Sequence, residues 1–245
     1  MAYQFATQEA DYADFASGRV IYSAPGMAAF PVRLASEIFQ RARSRLPAAP
    51  RLAVYDPTCG GAYHLTALGL LHATQIGAIY ASDIDAQALE LARRNLSLLT
   101  LAGLERRKSE IRALLNQYGK ESHRAALGSV DVFRARLAQA ASIETQVFPA
   151  DAFQPAQIHA GLRGARIDLV LADVPYGQLS HWSAASENST APLPAMLDAL
   201  LAAIHPQTIL AIITDKAQKV AHPGYRRVDR FQIGKRRVTM LQAAE

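Results

Sequence analysis

Residues 167–177 read IDLVLADVPYG, an apolar run that ends in a carboxylate, a proline and an aromatic ring. An apolar run of this length, stopped by proline and glycine, is typical of a buried parallel strand. Ligands of open α/β sheets bind just beyond the carboxyl ends of such strands. The sequence therefore predicts that Asp173 and Tyr176 lie at a binding or catalytic site.

The same pattern of an apolar run followed by an acid recurs at Asp56, Asp83 and Asp151. Helical patterns separate these runs, which predicts parallel strands joined by right-handed crossovers. A final pair of strands, turning at Gly234, predicts an antiparallel hairpin. We therefore predict an α/β fold: a parallel sheet with an antiparallel C-terminal hairpin, flanked by helices.

The chain has 245 residues, of which 50% are hydrophobic, so it can bury one substantial core. We predict a single domain, 1–245, that includes an N-terminal helical extension, 1–50, and a helical insertion, 104–141. The one cysteine excludes an intrachain disulfide and fits a reducing compartment. Neither a signal peptide nor a spanning run is present, which favours a cytoplasmic protein without membrane contact.

The net charge of +5 is concentrated in two segments. Residues 104–141 hold eight Lys or Arg against four acids, and residues 216–237 hold eight against Asp229 alone. An otherwise acidic body with two basic segments indicates a polyanionic partner such as nucleic acid. Solvated surface charge is the alternative interpretation of such runs.

A glycine turn, Gly60-Gly61, opens a helix directly after the first predicted strand, and Asp83 follows 23 residues after Gly60. This order is typical of nucleotide-like ligands, whose ribose hydroxyls bind such an acid. An early carboxylate, Asp56, would repel a pyrophosphate but attract a cation. The sequence therefore favours S-adenosylmethionine over NAD, with Asp56 near its amine, Asp83 on the ribose and Asp151 on the adenine.

Three stretches resemble motifs of Rossmann-like S-adenosylmethionine-dependent methyltransferases: 56–61 (DPTCGG), 82–85 (SDID) and 173–177 (DVPYG). The last is similar to the Asn/Asp-Pro-Pro-Tyr element of enzymes that methylate amino groups. Further stretches resemble the avilamycin-resistance 23S rRNA guanine-N2 methyltransferases, namely 23–26 (SAPG), 30–34 (FPVRL), 37–41 (EIFQR) and 180–182 (SHW). The resemblance implies an antibiotic-resistance rRNA methyltransferase that acts on 23S rRNA or the large ribosomal subunit.

This resemblance and the residue chemistry together assign the site residues. The predicted catalytic residues are Asp173, Val174, Pro175 and Tyr176. The predicted cofactor-binding residues are Asp56, Pro57, Thr58, Cys59, Gly60, Asp83, Ile84, Asp151, Ala152 and Asp173. The predicted RNA-binding residues are His181, Trp182, Arg106, Arg107, Lys108, Lys216, Lys235 and Arg236. No metal site is expected, and we expect a monomer.

The predicted chemistry is methylation of the exocyclic N2 amine of a guanine. Asp173 and the Val174 carbonyl accept its hydrogens and aim the nitrogen lone pair at the methyl group, while Tyr176 stacks on the base. Methylation of adenine N6 or of a glutamine amide remains open, as does a catalytically silent RNA-binding scaffold. Ala62 stands where the family has glycine, so a positive φ there would strain the backbone and lower cofactor affinity.

Overall fold

Seven strands form one mixed sheet in the computed structural model, which describes residues 3–8, 10–25, 29–49, 51–174 and 192–244. The strand order is β3-β2-β1-β4-β5-β7-β6. The strands are β1 Leu52–Asp56, β2 Ile76–Asp83, β3 Glu144–Pro149, β4 Leu169–Asp173, β5 Ile209–Asp215, β6 Tyr225–Ile233 and β7 Arg236–Ala243. Neighbours from β3 to β5 are parallel, and β7 runs antiparallel to both β5 and β6. The predicted fold is confirmed.

Helices cover both faces of this sheet. They are α1 Val32–Arg43, α2 Tyr63–Leu71, α3 Ala86–Ser97, α4 Leu101–Tyr118, α5 Glu121–Ala138, α6 Pro155–Leu162 and α7 Pro192–Ala203. Alternate residues of β4 point to opposite faces: Leu169 and Leu171 join the core formed with α1 to α5, whereas Val170 and Ala172 join the core formed with α6 and α7. Burial on both faces explains why this strand is a continuous apolar run.

The predicted insertion, 104–141, corresponds to two helices, α4 and α5, of which α4 begins at Leu101; that they form an insertion stays a prediction. Gly119 ends α4 with φ of 63°, the left-handed conformation typical of a glycine helix stop. Phe133 of α5 packs on Phe15, with ring centroids 4.9 Å apart. The insertion therefore shares the main core and holds the N-terminal segment against it.

The sequence stretch 37–41 has a structural role, which depends on Glu37. Its fully buried carboxylate accepts the backbone N–H groups of Gln4, Phe5 and Ala6 at 2.7–2.9 Å. It also pairs with Arg41 at 2.7 Å. Burial alone would raise the pKa of Glu37, but these donors outweigh it and the pKa lies below its usual value. The motif fastens the N-terminus to α1.

Among the described residues, no helix is long and apolar enough to cross a membrane. Over the same residues, no group of three His, Cys, Asp or Glu side chains is arranged to hold a metal ion.

Candidate functional site

Acidic residues line the end of the sheet at which the parallel strands finish, here called the carboxyl end. Asp173, Asp56 and Asp83 are the last residues of β4, β1 and β2. Asp151 follows β3 by two residues, and Asp215 ends β5. Because neighbouring parallel strands are in register, these side chains meet along one rim. The sequence predicted four members of this row; Asp215 is a further one.

The loop between β1 and α2, residues 57–62, is the glycine loop. The Cys59 N–H donates to the Ser82 carbonyl at 2.9 Å, and the Gly60 N–H donates to the Asp83 carboxylate at 2.8 Å. Gly60 has φ of 52°, and a Cβ placed there would meet no atom within 4 Å. The loop therefore presents open backbone beside the first two strands, as a nucleotide-like ligand requires.

Ala62 adopts φ of 53° and ψ of 31°, the left-handed region. The departure from glycine noted in the sequence therefore falls on a position that needs positive φ. A non-glycine residue in this region carries a backbone cost on the order of 1 kcal/mol. Ala62 is fully buried, so its methyl group also packs in the core.

Asp56 is fully buried and already engaged by the protein. Its carboxylate accepts the Thr58 backbone N–H at 2.9 Å and lies 2.8 Å from Nε2 of His64 on α2. These contacts fix the start of the glycine loop and the start of α2. Contact between Asp56 and a ligand amine stays a prediction.

Asp83 and Ile84 occupy the position expected for ribose and adenine recognition. Burial raises the pKa of Asp83 above its ordinary value, and the N–H groups of Asp85 and Gly60 offset this only in part. The Ile84 side chain is 51% exposed although it is large and apolar. An exposed apolar side chain beside a strand-end acid suits the flat face of a base. Both assignments stay predictions.

The remaining predicted cofactor residues lie at the same rim. Asp151 caps its own turn by accepting the Phe153 N–H at 2.9 Å, and Ala152 is buried beneath it. The Pro57 carbonyl faces the Ser82 hydroxyl at 3.4 Å. Burial raises the pKa of the Cys59 thiol well above its ordinary value, so this side chain is packed rather than nucleophilic.

Two of the four predicted catalytic residues, Asp173 and Val174, are among the described residues. Asp173 ends β4 at the rim, and Val174 is buried with its N–H donating to the Ile213 carbonyl at 3.2 Å. Pro175, Tyr176, His181 and Trp182 lie outside the described residues. The structure therefore fixes where the loop leaves the sheet.

Three of the predicted RNA-binding residues reach this same rim. Lys216 directly follows Asp215, and Arg236 pairs with Asp215 in the sheet, so Lys235 sits at the adjoining turn. Lys216 and Lys235 are exposed. The Arg236 guanidinium lies 5.3 Å from the ring centroid of Phe30. These basic side chains are therefore close in the fold to Asp173, although 43 or more residues separate them in sequence.

Two predicted RNA-binding residues of the insertion, Arg107 and Lys108, are bound to other residues of the protein. Arg107 is buried, and its guanidinium donates to the carbonyls of Val20 and Arg19 at 2.9 and 3.3 Å. Lys108 is ion-paired with Asp131. RNA binding is therefore not supported for Arg107 or Lys108, because both cations are used inside the fold. Arg106 is exposed, and its role stays a prediction.

A row of arginines runs across one face of the β6–β7 hairpin. Thr239 and Leu241 of β7 point to one face, and they pair with Arg230 and Arg227. A bulge between Arg227 and Asp229 makes this possible, since residues three apart in a regular strand point to opposite faces. Arg237 shares that face two residues before Thr239. We call Arg227, Arg230 and Arg237 the hairpin stripe.

Sequence reasoning missed Asn95, which joins the glycine loop to the N-terminal segment. Asn95 is fully buried on α3. Its side-chain amide binds both backbone groups of Tyr22 and also donates to the Gly61 carbonyl at 2.8 Å. A polar residue amid the apolar face of an amphipathic helix was the available signal.

Comparison with solved structures first identifies the class of fold. TrmN from Thermus thermophilus superposes with a TM-score of 0.51 at 18% identity, over 89% of this chain and 50% of that chain. A class I S-adenosylmethionine-dependent methyltransferase structure from Listeria monocytogenes, described as putative, superposes with a TM-score of 0.50 at 12% identity, over 91% and 63%. The sheet and its flanking helices thus have the fold of these methyltransferase structures.

The chain belongs to the AviRa family of rRNA methyltransferases. The model of that family, "RRNA methyltransferase AviRa", matches residues 1–236. A 23S rRNA (guanine(2535)-N(1))-methyltransferase of Streptomyces viridochromogenes is 39% identical over all of this chain and 97% of its own length. The solved rRNA methyltransferase AviRa of that organism has a TM-score of 0.89 at 38% identity, covering 99% and 96% of the two chains. The predictions of the family and of an rRNA methyltransferase are confirmed. The atom named for the relative is N1, whereas we predicted N2.

Proposed function

We propose that this protein transfers a methyl group from S-adenosylmethionine to a guanine of 23S rRNA, at N1 of the base. The row of carboxylates at the carboxyl end of the sheet, in which Asp173 lies between Asp56 and Asp215, is the main support for the proposal. The name of the 39% identical relative supports the guanine and the atom. N2 is the second candidate, because it lies next to N1 on the same edge of the base.

The residues at the rim fit the cofactor. The open backbone at Gly60, the acid Asp83 and the exposed Ile84 suit a loop, a ribose diol and an adenine face. Asp151 and Ala152 complete the adenine side. The sulfonium supplies an activated methyl group, so the protein needs chiefly to bind and orient the two partners.

Asp173 and the Val174 carbonyl support either atom. Guanine N1 and N2 both carry hydrogens on the pairing edge, so one carboxylate and one carbonyl can accept from both. At N1, the Asp173 carboxylate would accept the proton and leave the N1 electron pair free to bond to carbon. Bound S-adenosylmethionine would supply the activated methyl group, with a neutral thioether as the leaving group. Pro175 and Tyr176 hold and stack the base in this proposal.

The RNA backbone contacts the basic side of the rim. Lys216, Lys235 and Arg236 stand beside the predicted base position, and the hairpin stripe extends away from it along β6 and β7. In the hairpin stripe Arg227 and Arg230 are exposed and Arg237 is half-buried. A row of cations on a sheet face matches the phosphates on either side of a target nucleotide. His181 and Trp182, which follow Asp173 in sequence, also contact the base in this proposal.

The test is to incubate the protein with 23S rRNA, and separately with large ribosomal subunits, in the presence of labelled S-adenosylmethionine. Mass spectrometry of nuclease fragments then identifies the modified base and atom. We expect N1-methylguanine at one position. N2-methylguanine would support the second candidate, whereas label on adenine, on protein or nowhere would overturn the proposal.

Asp173→Asn tests the assignment of the base. The substitution keeps the shape but removes the charge, so we expect kcat to fall about 100-fold or more. The Kd for S-adenosylmethionine, measured calorimetrically, should rise by far less than kcat falls, although Asp173 is also predicted to contact the cofactor. Asp168→Asn is the matched control, because Asp168 precedes the same strand at its opposite end and binds the Ala53 N–H at 2.8 Å. An equal loss of cofactor binding in Asp173→Asn would contradict the assigned role.

A further inference from the structure

The N-terminal segment reaches the glycine loop through one buried side chain. Oδ1 of Asn95 accepts the Tyr22 N–H at 2.8 Å, and Nδ2 donates to the Tyr22 carbonyl at 3.1 Å and to the Gly61 carbonyl at 2.8 Å. The two N–H groups of this amide thus donate hydrogen bonds to carbonyls in two separate chain segments. Gly61 stands between Gly60 and Ala62, the two residues of the loop with positive φ.

Tyr22 is itself held rigidly on α3 and α4. Its ring lies between the guanidinium groups of Arg94 and Arg107, 4.0 and 4.2 Å from their carbons, and its hydroxyl donates to Glu110 at 2.9 Å. Arg107 also binds the backbone just before Tyr22. The amide of Asn95 therefore connects the loop to a segment that is itself anchored on α3 and α4.

A second contact between the same segment and the start of α2 lies farther along. The Phe30 ring lies 5.5 Å from the ring of His64, which binds Asp56 at the beginning of the glycine loop. The segment thus touches the loop at Gly61 and touches a residue that holds the loop at Asp56. None of these contacts involves a predicted catalytic residue.

We propose that Asn95 is a positioning residue for the cofactor: it transmits the anchored position of Tyr22 to Gly61 and so holds the glycine loop ready to bind S-adenosylmethionine. This inference rests on the proposed function, since it takes the loop to be the cofactor loop. It makes the N-terminal segment part of the cofactor site, although that segment precedes the sheet in sequence.

Asn95→Asp is the sharpest test. The variant keeps the oxygen that accepts the Tyr22 N–H but turns the donor into an oxygen facing two carbonyls. We expect the Kd for S-adenosylmethionine, measured by calorimetry without RNA, to rise roughly tenfold, the size of one lost buried hydrogen bond. The KM for the cofactor should rise with it, while kcat at saturating cofactor and the KM for RNA stay within about twofold.

Thr208→Val is the control for general destabilisation. Thr208 is buried and donates to the Ile167 carbonyl at 2.7 Å at the opposite end of the sheet. The Thr208→Val substitution should lower Tm without changing the Kd for the cofactor. A Kd for Asn95→Asp no higher than that of Thr208→Val at a similar loss of Tm would overturn the inference. Wild-type protein that binds no cofactor would instead refute the proposed function.

Arg107→Met provides a second approach that leaves Asn95 intact, and it carries the test if Asn95→Asp fails to fold. It removes the bonds to Val20 and Arg19 and one side of the Tyr22 sandwich, so the cofactor Kd should rise in the same direction. Arg112→Met, an exposed residue on the same helix, is its matched control. Equal cofactor Kd values for these two variants would overturn the role of the anchored segment.

Discussion

The insertion helices, α4 and α5, and the C-terminal hairpin carry their basic side chains in different electrostatic surroundings. In the insertion, four of these cations pair with acids of the same two helices: Arg107 with Glu110, Lys108 with Asp131, Arg124 with Glu121, and Arg134 with Glu105. In residues 216–237 the one acid, Asp229, pairs with Arg41 and Arg45 of the N-terminal region instead.

The basic side chains of the hairpin are therefore available to a partner. Within the ranges that the structure describes, none of the Lys or Arg residues in 216–237 forms an ion pair with another described residue. A phosphate that approaches the insertion must compete with existing carboxylates, whereas one that approaches the hairpin meets uncompensated charge. Net charge per segment thus overstates the insertion as an RNA-binding surface.

Removing hairpin charge should have the largest effect on RNA affinity. We expect the triple variant Arg227→Gln, Arg230→Gln, Lys235→Gln to raise the Kd for 23S rRNA on the order of 10- to 100-fold at moderate salt. The slope of log Kd against log salt should fall by about one per charge removed. Filter binding over a salt series measures both. An unchanged slope would show that these side chains of the hairpin do not contact RNA phosphates.

Releasing the paired charges of the insertion should have a smaller effect of opposite sign. Glu105→Gln with Asp131→Asn removes the partners of Arg134 and Lys108, and both acids are exposed. We expect RNA affinity to rise about two- to fivefold, since two unpaired cations then become available. A decrease in affinity in the same assay would show that internal pairing is not what separates the two regions.

Removing insertion charge should have the smallest effect. Arg112→Gln, Arg124→Gln and Arg134→Gln together take away as much charge as the hairpin triple variant, from exposed positions. We expect the Kd for RNA to change by less than about threefold, because Arg124 and Arg134 are already paired with Glu121 and Glu105. A loss of RNA affinity as large as that of the hairpin variant would show that the two regions contribute equally to RNA binding.

The strand-end acids and the fold were accessible from the sequence because both follow from local pattern. An apolar run that stops at a carboxylate gives the strand and its functional end together, as at Asp173 and Asp83. The eight-residue helix α6 was missed, since only Ile158 and Leu162 mark its buried face. Two apolar positions are too few to establish a helical period.

The partners of individual side chains could not be predicted, because they depend on contacts between distant parts of the chain. Arg106, Arg107 and Lys108 form one basic run in sequence, yet the first is exposed, the second buried and the third ion-paired. The helix turns by about 100° per residue, so neighbours in sequence face different surroundings. Asn95 and Tyr22 are likewise 73 residues apart.

The cluster of Glu37, Arg41 and Asp229 has a consequence for the order of folding during synthesis. Arg41 contacts Glu37 at 2.7 Å and Asp229 at 3.2 Å and lies over the Phe231 ring. Glu37 in turn fastens residues 4–6, so the first turns of the chain and its penultimate strand share one ionic cluster. Because synthesis proceeds from the N-terminus, residues 4–41 leave the ribosome long before residue 229 does. The cluster of Glu37, Arg41 and Asp229 can therefore be complete only after residue 229 has been synthesised, 188 residues after Arg41.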